Sequence, residues 1–147
     1  MPAPLLTIVR GHPGSGKTTL AQQIVREQPG TAHFENDQFF TQDGVYTFDL
    51  ARHEEAKTWC LDSVRNALAS GQDVVVSSTF TTLKEMQPYV ELVPPEQLKV
   101  VEMFLDFPDT HNVPQAVVVA KKAAFEPYEG ALQIKEPAAS NKRPAMR

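Results

Sequence analysis

Residues 11–18 read GHPGSGKT, which matches the phosphate-binding loop pattern G-x-x-x-x-G-K-[S/T] at every fixed position. Glycines in this pattern let backbone N–H groups turn toward an anion where a Cβ would obstruct them. The lysine reaches the β- and γ-phosphates, and the hydroxyl after it is a ligand for Mg²⁺. We therefore predict a site for ATP with Mg²⁺ at Thr18, formed by Gly11, His12, Pro13, Gly14, Ser15, Gly16, Lys17, Thr18 and Thr19.

The sequence on both sides of this loop supplies the strand and the helix that the pattern requires. The β-prone run LLTIV precedes it at residues 5–9, and Leu20, Ala21, Ile24 and Val25 recur at helical spacing after it. A helix that begins here directs the positive end of its dipole toward the bound phosphate. The motif thus stands in the strand, loop and helix context in which it binds nucleotides.

Short β-prone runs alternate with helical patterns along the rest of the chain, which is typical of parallel βαβ units. We predict strands at residues 5–10, 32–35, 73–78 and 98–105, and helices at residues 49–70, 82–92 and 114–125. Asp49 and Thr82 are the expected N-caps, Trp59 is expected in the core, and Pro88 should bend or shorten its helix. The prediction is an α/β fold of the P-loop NTPase type, a three-layer sandwich around a parallel sheet.

Length and composition indicate one globular domain. The chain has 147 residues, of which 41% are hydrophobic and 22% charged, and no apolar run approaches the ~20 residues that span a bilayer. The first residues lead into the first strand without a basic leader, which predicts a cytoplasmic protein. We assign residues 1–135 to the kinase domain and residues 136–147, which lack apolar periodicity, to a disordered basic tail.

The charge distribution bears on possible partners. A net charge of −4 is unusual for a protein that binds a polyanion, although residues 121–147 carry +3 and the remainder −7. The basic end of the chain either helps to bind nucleic acid or is a solvated tail. The cations available for a phosphate are Lys84, Lys121 and Lys122. The four histidines lack metal-ligand spacing, so we predict no zinc site.

Asp37, in the segment ENDQFF, follows the second predicted strand at the carboxyl edge of the sheet, where ligands of doubly wound folds bind. It is either a base that accepts the proton of an attacking hydroxyl or a turn aspartate. Aromatic residues close to the expected acceptor cleft, Phe39, Phe40 and Phe80, either stack on a base or belong to the core. Thr79 is a candidate hydrogen-bonding residue for the acceptor.

From about residue 5 to residue 108 the chain resembles the polynucleotide 5′-hydroxyl kinase branch of the P-loop kinases, which includes small bacteriophage enzymes. NDQF at 36–39 stands at the family's Asp-containing motif, whose first Asp is the general base, and this implies that role for Asp37. VVVSSTF at 74–80 matches a strand that ends in Ser-Asp-Thr-Asn, and FLDFP at 104–108 matches the exit of the fourth strand. The resemblance implies the adenylate-kinase-like strand order 2-3-1-4.

Three departures from this family concern the substrate. Ser78 stands where an acidic residue is common, only five residues separate Pro108 from Pro114 where the enzymes carry an arginine-bearing lid, and Phe40 replaces a basic residue. Because small relatives with short lids include phage kinases of 5-hydroxymethyluracil in DNA, the resemblance implies that acceptor, and the host cytoplasm as location. The alternatives are a polynucleotide 5′-hydroxyl kinase, a kinase of a free nucleoside or small metabolite, and a nucleotide-dependent regulatory protein.

Overall fold

A five-stranded parallel sheet forms the centre of the computed structural model, which describes residues 3–42, 44–107 and 113–136. Its strands, in the order β2-β5-β1-β6-β7, are β1 (Leu6–Gly11), β2 (Ala32–Phe34), β5 (Val74–Ser78), β6 (Leu98–Met103) and β7 (Leu132–Ile134). An antiparallel hairpin consists of β3 (Thr41–Gln42) and β4 (Val45–Tyr46). The α-helices are α1 (Lys17–Glu27), α2 (His53–Ala69), α3 (Leu83–Val90) and α4 (Gln115–Ala124).

The core lies on both faces of this sheet, because successive residues of a strand point to opposite sides. One cluster joins the sheet to α2 and α3; its buried members include Leu6, Ile8, Cys60, Val64, Val74, Val76, Met86 and Tyr89. The other joins the opposite face to α1; its buried members are Val9, Ala21, Val75, Val101 and Met103. The two clusters make the three-layer α/β/α arrangement that the sequence predicts.

The four predicted strands are present, each within two residues of its predicted bounds, and their order confirms the one implied by the resemblance. The sequence did not predict β7, which extends the sheet beside β6. Only three residues form this strand, and two of them are exposed, so it carries no apolar signature. The hairpin of β3 and β4 was also missed, because each of its strands is two residues long.

Both N-caps predicted from the sequence, Asp49 and Thr82, are present, but Asp49 caps a different element from the one predicted. Asp49 caps a 3₁₀ turn, Leu50–Arg52, by accepting a hydrogen bond from the Ala51 N–H at 3.0 Å, and the α-helix begins only at His53. Thr82 and Glu85 form a reciprocal capping box at the start of α3. Pro88 lies inside that helix, which is eight residues long, shorter than predicted.

A buried ion pair links β1 to β6. The Arg10 guanidinium donates to Glu102 Oε2 at 2.7 Å, and both side chains are inaccessible to solvent. Glu102 also accepts from the Tyr128 N–H at 2.7 Å and from Gln133 Nε2 at 3.0 Å, while the Arg10 guanidinium lies 4.1 Å from the centre of the Phe125 ring. A buried charge pair with these additional hydrogen bonds satisfies its polar groups. It ties the segment after α4 to the strand that leads into the phosphate loop.

The thiol of Cys60 is buried beside Tyr89, and burial raises its pKa to about 11. Because a raised pKa leaves little thiolate at pH 8, we expect a disulfide reagent to modify the native protein about a hundredfold more slowly than the unfolded chain. Absorbance of the released thiolate, with and without denaturant, measures both rates. Equal rates would show that the thiol is accessible in the native fold.

Two features predicted from the sequence, the C-terminal tail and the lid segment, fall on residues that the structure does not describe. The predicted tail, residues 136–147, lies outside the described residues except for Glu136. Residues 108–112, where the sequence predicts that the lid is shortened or absent, also lie outside them. Among the helices in the described ranges, none has the combination of length and apolar character that crossing a membrane requires.

Candidate active site

The loop between β1 and α1 has the backbone that its glycines predict. Ser15 N–H donates to the His12 carbonyl at 3.1 Å, and Leu20 N–H donates to the Gly16 carbonyl at 3.1 Å. Gly14 has φ +82°, and a Cβ there would lie 2.6 Å from the Phe107 carbonyl oxygen. A Cβ at Gly11 would lie 2.5 Å from the Met103 carbonyl oxygen. Side chains at these two positions would therefore displace the backbone that surrounds the loop.

The loop fits a phosphate group. The Ser15 hydroxyl is fully buried and has no hydrogen-bond partner among the described residues, which is costly unless a ligand satisfies it. Lys17, the first residue of α1, donates from Nζ to the His12 carbonyl at 3.0 Å. Thr18 and Thr19 are exposed, whereas His12 is buried. The Ser15 hydroxyl, the Lys17 ammonium and the N-terminus of α1 thus lie together in this loop, an arrangement that suits an anion.

A carboxylate stands beside the predicted Mg²⁺ ligand. Glu35 Oε2, at the end of β2, accepts hydrogen bonds from the Thr18 hydroxyl at 3.1 Å and from the Ser77 hydroxyl at 2.8 Å. His33 Nε2 lies 2.8 Å from Ser77 Oγ and 3.5 Å from the same Glu35 oxygen. Because the Ser77 hydroxyl donates to Glu35, the network assigns the Nε2 proton to His33. We call these four side chains the Glu35 cluster.

Glu35 is ionised at neutral pH in this arrangement. Burial by itself acts to raise the pKa of the carboxyl, but the hydrogen bonds from His33, Ser77 and Thr18 outweigh burial, so the pKa lies below its ordinary value. The cluster therefore presents a negative charge and hydroxyl oxygens next to the phosphate loop, and these are the donors that Mg²⁺ prefers. In the described residues, no three His, Cys, Asp or Glu side chains converge to hold a metal by themselves.

Asp37 lies in a 3₁₀ helix, Asn36–Phe40, directly after β2. Its Oδ1 accepts a hydrogen bond from the Tyr46 hydroxyl at 3.3 Å, and its carbonyl accepts from the Thr41 hydroxyl at 3.1 Å. Gln38 Nε2 donates to the His33 carbonyl at 3.0 Å and fastens this turn to β2. The half-buried carboxylate is thus held at the carboxyl edge of the sheet, two residues beyond the one that contacts Thr18.

The three aromatic candidates differ in exposure. Phe40 and Phe80 are each only 6% exposed; Phe80 packs in the core, and Phe40 contacts Phe39 and Phe48 edge-on. Their burial favours the core interpretation over stacking on a base. Phe39 is partly exposed, with its ring 6.2 Å from that of Trp59 and the Arg52 guanidinium 4.8 Å from its centre. It is the candidate with ring surface open to a ligand.

Phe80 also shapes the backbone after β5. Its φ of +38° is the one positive value at a non-glycine residue in the described ranges, and such a backbone persists only where its surroundings fix it. Arg10 Nε donates to the Phe80 carbonyl at 3.0 Å, and the same guanidinium reaches the Thr81 carbonyl at 3.4 Å. The buried ion pair therefore fixes the turn that contains Thr79, which is half-buried beside the site.

An open groove of about 490 Å³ lies against the 3₁₀ helix that carries Asp37. Two aromatic rings and three carboxylates line it, with one threonine: Phe39, Trp59, Glu54, Glu55, Asp62 and Thr58. Each carboxylate pairs with a basic residue three positions away, as Glu55 with Arg52, Glu54 with Lys57, and Asp62 with Arg65. The groove is therefore apolar at its rings and acidic at its rim.

One of the three candidate cations approaches the phosphate loop. Lys122 Nζ lies 2.6 Å from Asp106 Oδ1, and His12 Nε2 lies 3.6 Å from the same oxygen. The Lys122 ammonium holds the pKa of Asp106 below its ordinary range. Lys84 is exposed at the start of α3, and Lys121 is half-buried on α4. Of the three, Lys122 has the clearest connection to the loop.

Sequence reasoning did not select Glu35 or Ser77. Glu35 stands in the quoted segment ENDQFF, but its role depends on a strand pairing that brings it beside a residue 42 positions away. The usable signal was its position, since a carboxylate directly after a β-strand lies at the edge where ligands bind. His33 was dismissed as a metal ligand, and it serves instead as a hydrogen-bond partner of Ser77.

Comparison with known proteins adds family context to this site. Residues 6–124 match the AAA_33 family, described as an AAA domain. NEDD4-binding protein 2 of Homo sapiens is 31% identical over 98 residues, which make up 66% of this chain and 6% of that protein. The chain thus spans a small part of the length of this curated relative.

Solved structures with the same fold include a chain of an RNA repair complex and a gluconokinase. A chain of the Pnkp1/Rnl/Hen1 RNA repair complex superposes with a TM-score of 0.65 at 21% identity, covering 84% of this chain and 44% of that one. A gluconokinase from Sinorhizobium meliloti 1021 superposes with a TM-score of 0.62 at 20% identity, covering 95% of this chain and 88% of that one. At these identities the likeness shows a shared fold.

Proposed function

Because the chain belongs to the AAA_33 family of AAA domains and has the fold of P-loop kinases, we propose that it is an ATP-dependent kinase that transfers the γ-phosphate to a hydroxyl group. The observation that carries this proposal is the placement of Asp37. Glu35 contacts Thr18 of the phosphate loop, and Asp37 follows two residues later on the same edge of the sheet. A carboxylate in this place suits a base for an attacking hydroxyl.

In the proposed mechanism, different residues of the site bind the phosphates and accept the proton. Backbone N–H groups of the phosphate loop, which all its residues except Pro13 carry, and the Lys17 ammonium bind the phosphates. Asp37 accepts the proton of the acceptor hydroxyl. The hydroxyl oxygen forms its bond to the γ-phosphorus as the bond from that phosphorus to the β–γ bridging oxygen breaks, which releases ADP. Bound near Thr18, Mg²⁺ supplies positive charge that offsets the phosphate charge.

For the acceptor we propose a hydroxyl on nucleic acid, specifically the 5-hydroxymethyl group of hydroxymethyluracil in DNA. Phe40, which replaces the basic residue of polynucleotide kinases, is buried between Phe39 and Phe48, so this position offers no cation to a terminal phosphate. The exposed part of Phe39 and the groove beside it provide ring surface for a base. A group on C5 already projects into the major groove, so it is reachable in duplex DNA.

A small-molecule acceptor is the second candidate, and the carboxylates of the groove favour it. Glu54, Glu55 and Asp62 line the space next to Phe39, where they oppose the approach of a polyanion. Although Arg52, Lys57 and Arg65 pair with them, these pairs leave no net positive charge at the rim. A neutral nucleoside or sugar would meet no such repulsion.

The acceptor is tested with γ-labelled ATP and four substrates: duplex DNA that carries 5-hydroxymethyluracil and has blocked ends, unmodified DNA with free 5′ hydroxyls, free nucleosides, and sugars. We expect label in the first substrate, and we expect it to survive digestion to nucleosides as a 5-phosphomethyl base. The Lys17→Ala protein, purified in parallel, shows how much labelling comes from contaminating kinases.

Each other outcome assigns a different function. Labelling confined to ordinary 5′ ends would make the chain an end-phosphorylating kinase, and labelling confined to a nucleoside or sugar would make it a small-molecule kinase. Nucleotide binding without transfer to any acceptor would contradict the kinase proposal and favour a nucleotide-dependent regulatory protein.

A further inference from the structure

We propose that Glu35 supplies the protein carboxylate of the Mg²⁺ site, beside the Thr18 hydroxyl. This inference rests on the proposed use of Mg·ATP. Its first ground is contact: Glu35 Oε2 lies 3.1 Å from Thr18 Oγ1, so a metal ligand of Thr18 is within reach of the carboxylate. The Ser77 hydroxyl, 2.8 Å from the same oxygen, adds a third oxygen donor.

The second ground is the register of two neighbouring strands. β5 ends in Ser77 and Ser78, so it offers hydroxyls at this edge of the sheet and no carboxylate. β2 pairs with β5 in a register that matches Phe34 with Val76. The next residue, Glu35, therefore comes beside Ser77 and places a carboxylate at this edge of the sheet.

The third ground is the size of the donor set. Mg²⁺ in phosphoryl-transfer sites is commonly held by one or two carboxylates together with substrate phosphates and waters. One carboxylate and the hydroxyls of Thr18 and Ser77 match this pattern. The fully buried Ser15 hydroxyl, which has no partner among the described residues, independently indicates that a ligand belongs in the adjoining loop.

The test is the Glu35→Gln variant, in which the amide oxygen still accepts from Thr18 and Ser77 while the charge is lost. With ADP present, Mn²⁺ is titrated as a paramagnetic substitute and free Mn²⁺ is followed by electron paramagnetic resonance. We expect the variant to bind Mn²⁺ about 10–100-fold more weakly than the wild type. Its affinity for ADP in EDTA, measured by calorimetry, should equal that of the wild type and shows that the loop is folded.

Glu27→Gln is the matched control. Glu27 is exposed at the far end of α1, about 14 Å along the helix from Thr18, and pairs there with Gln23. This control removes the same charge and should leave Mn²⁺ affinity unchanged. In the double variant Glu35→Gln with Ser78→Asp, the carboxylate returns on β5, and we expect Mn²⁺ affinity to recover.

The result that overturns the inference is a Glu35→Gln protein that binds Mn²⁺ as tightly as the Glu27→Gln control. This failure differs from a failure of the proposed function. If the wild type itself bound no ADP, or bound ADP without any effect of Mn²⁺, the proposed use of Mg·ATP would be wrong. If the wild type bound both and only the variant comparison failed, the kinase proposal would stand and Glu35 would be a hydrogen-bonding residue of the cluster.

Discussion

Replacing Lys17 with alanine is expected to abolish measurable phosphoryl transfer, a loss of about a thousandfold or more, while leaving the fold intact. In the proposed mechanism, the ammonium provides the positive charge that the loop offers to the β- and γ-phosphates. Its ammonium donates a hydrogen bond to the His12 carbonyl within the loop, and Lys17 belongs to neither hydrophobic cluster. Transfer is measured with γ-labelled ATP, and folding by circular dichroism and thermal melting.

Lys99→Ala is the matched control for this variant. Lys99 is exposed near the start of β6, and since β6 runs parallel to β1, its start lies at the edge of the sheet opposite the phosphate loop. The control loses the same charge and should retain full transfer. A folded Lys17→Ala protein with wild-type turnover would contradict the assignment of the loop as the phosphate site.

The sequence predicted the parts of this molecule that depend on local pattern. Uninterrupted valines at 74–76 predicted a strand buried on both faces, and the structure has it inside the sheet, between β2 and β1. The glycines of the loop predicted a backbone without room for side chains, and the close approach of the Phe107 carbonyl to Gly14 agrees. In these cases the information lies within a few consecutive residues.

The parts that were missed depend on contacts between distant residues. Arg10 and Glu102 are 92 positions apart, and the sequence around each of them does not indicate a buried partner. The positive φ of Phe80 depends on the Arg10 guanidinium that holds its carbonyl, which no local preference indicates. β7 forms because it pairs with β6, in a register that matches Leu132 with Val101.

The same distinction explains the prediction of the site. Asp37 was predicted because its segment resembles a known motif, whereas the nearby carboxylate of Glu35 acquires its place from the pairing of β2 with β5. Glu35 and Asp37 are thus two carboxylates at the same edge of the sheet, and each needs its own chemical role. Contact with Thr18 favours the metal for Glu35, and this leaves proton transfer for Asp37.

Replacing Asp37 with asparagine is therefore expected to lower the rate of transfer about a hundredfold or more while the affinity for Mg·ATP stays near that of the wild type. The amide keeps the shape of the side chain and can still accept from the Tyr46 hydroxyl, so the 3₁₀ helix should hold its place. What the variant loses is basicity. Single-turnover labelling of the acceptor and calorimetry with a non-hydrolysable ATP analogue measure the two quantities.

The control and the contrasting variant decide what this loss means. Glu96→Gln changes an exposed carboxylate in the turn before β6, at the opposite edge of the sheet, and should leave both quantities unchanged. Glu35→Gln should weaken metal binding, whereas Asp37→Asn should leave Mn²⁺ affinity intact and slow the chemical step. If Asp37→Asn instead lost Mg·ATP or Mn²⁺ affinity in proportion to its rate, Asp37 would belong to the metal site, and the base for the acceptor hydroxyl would have to be sought elsewhere at this edge.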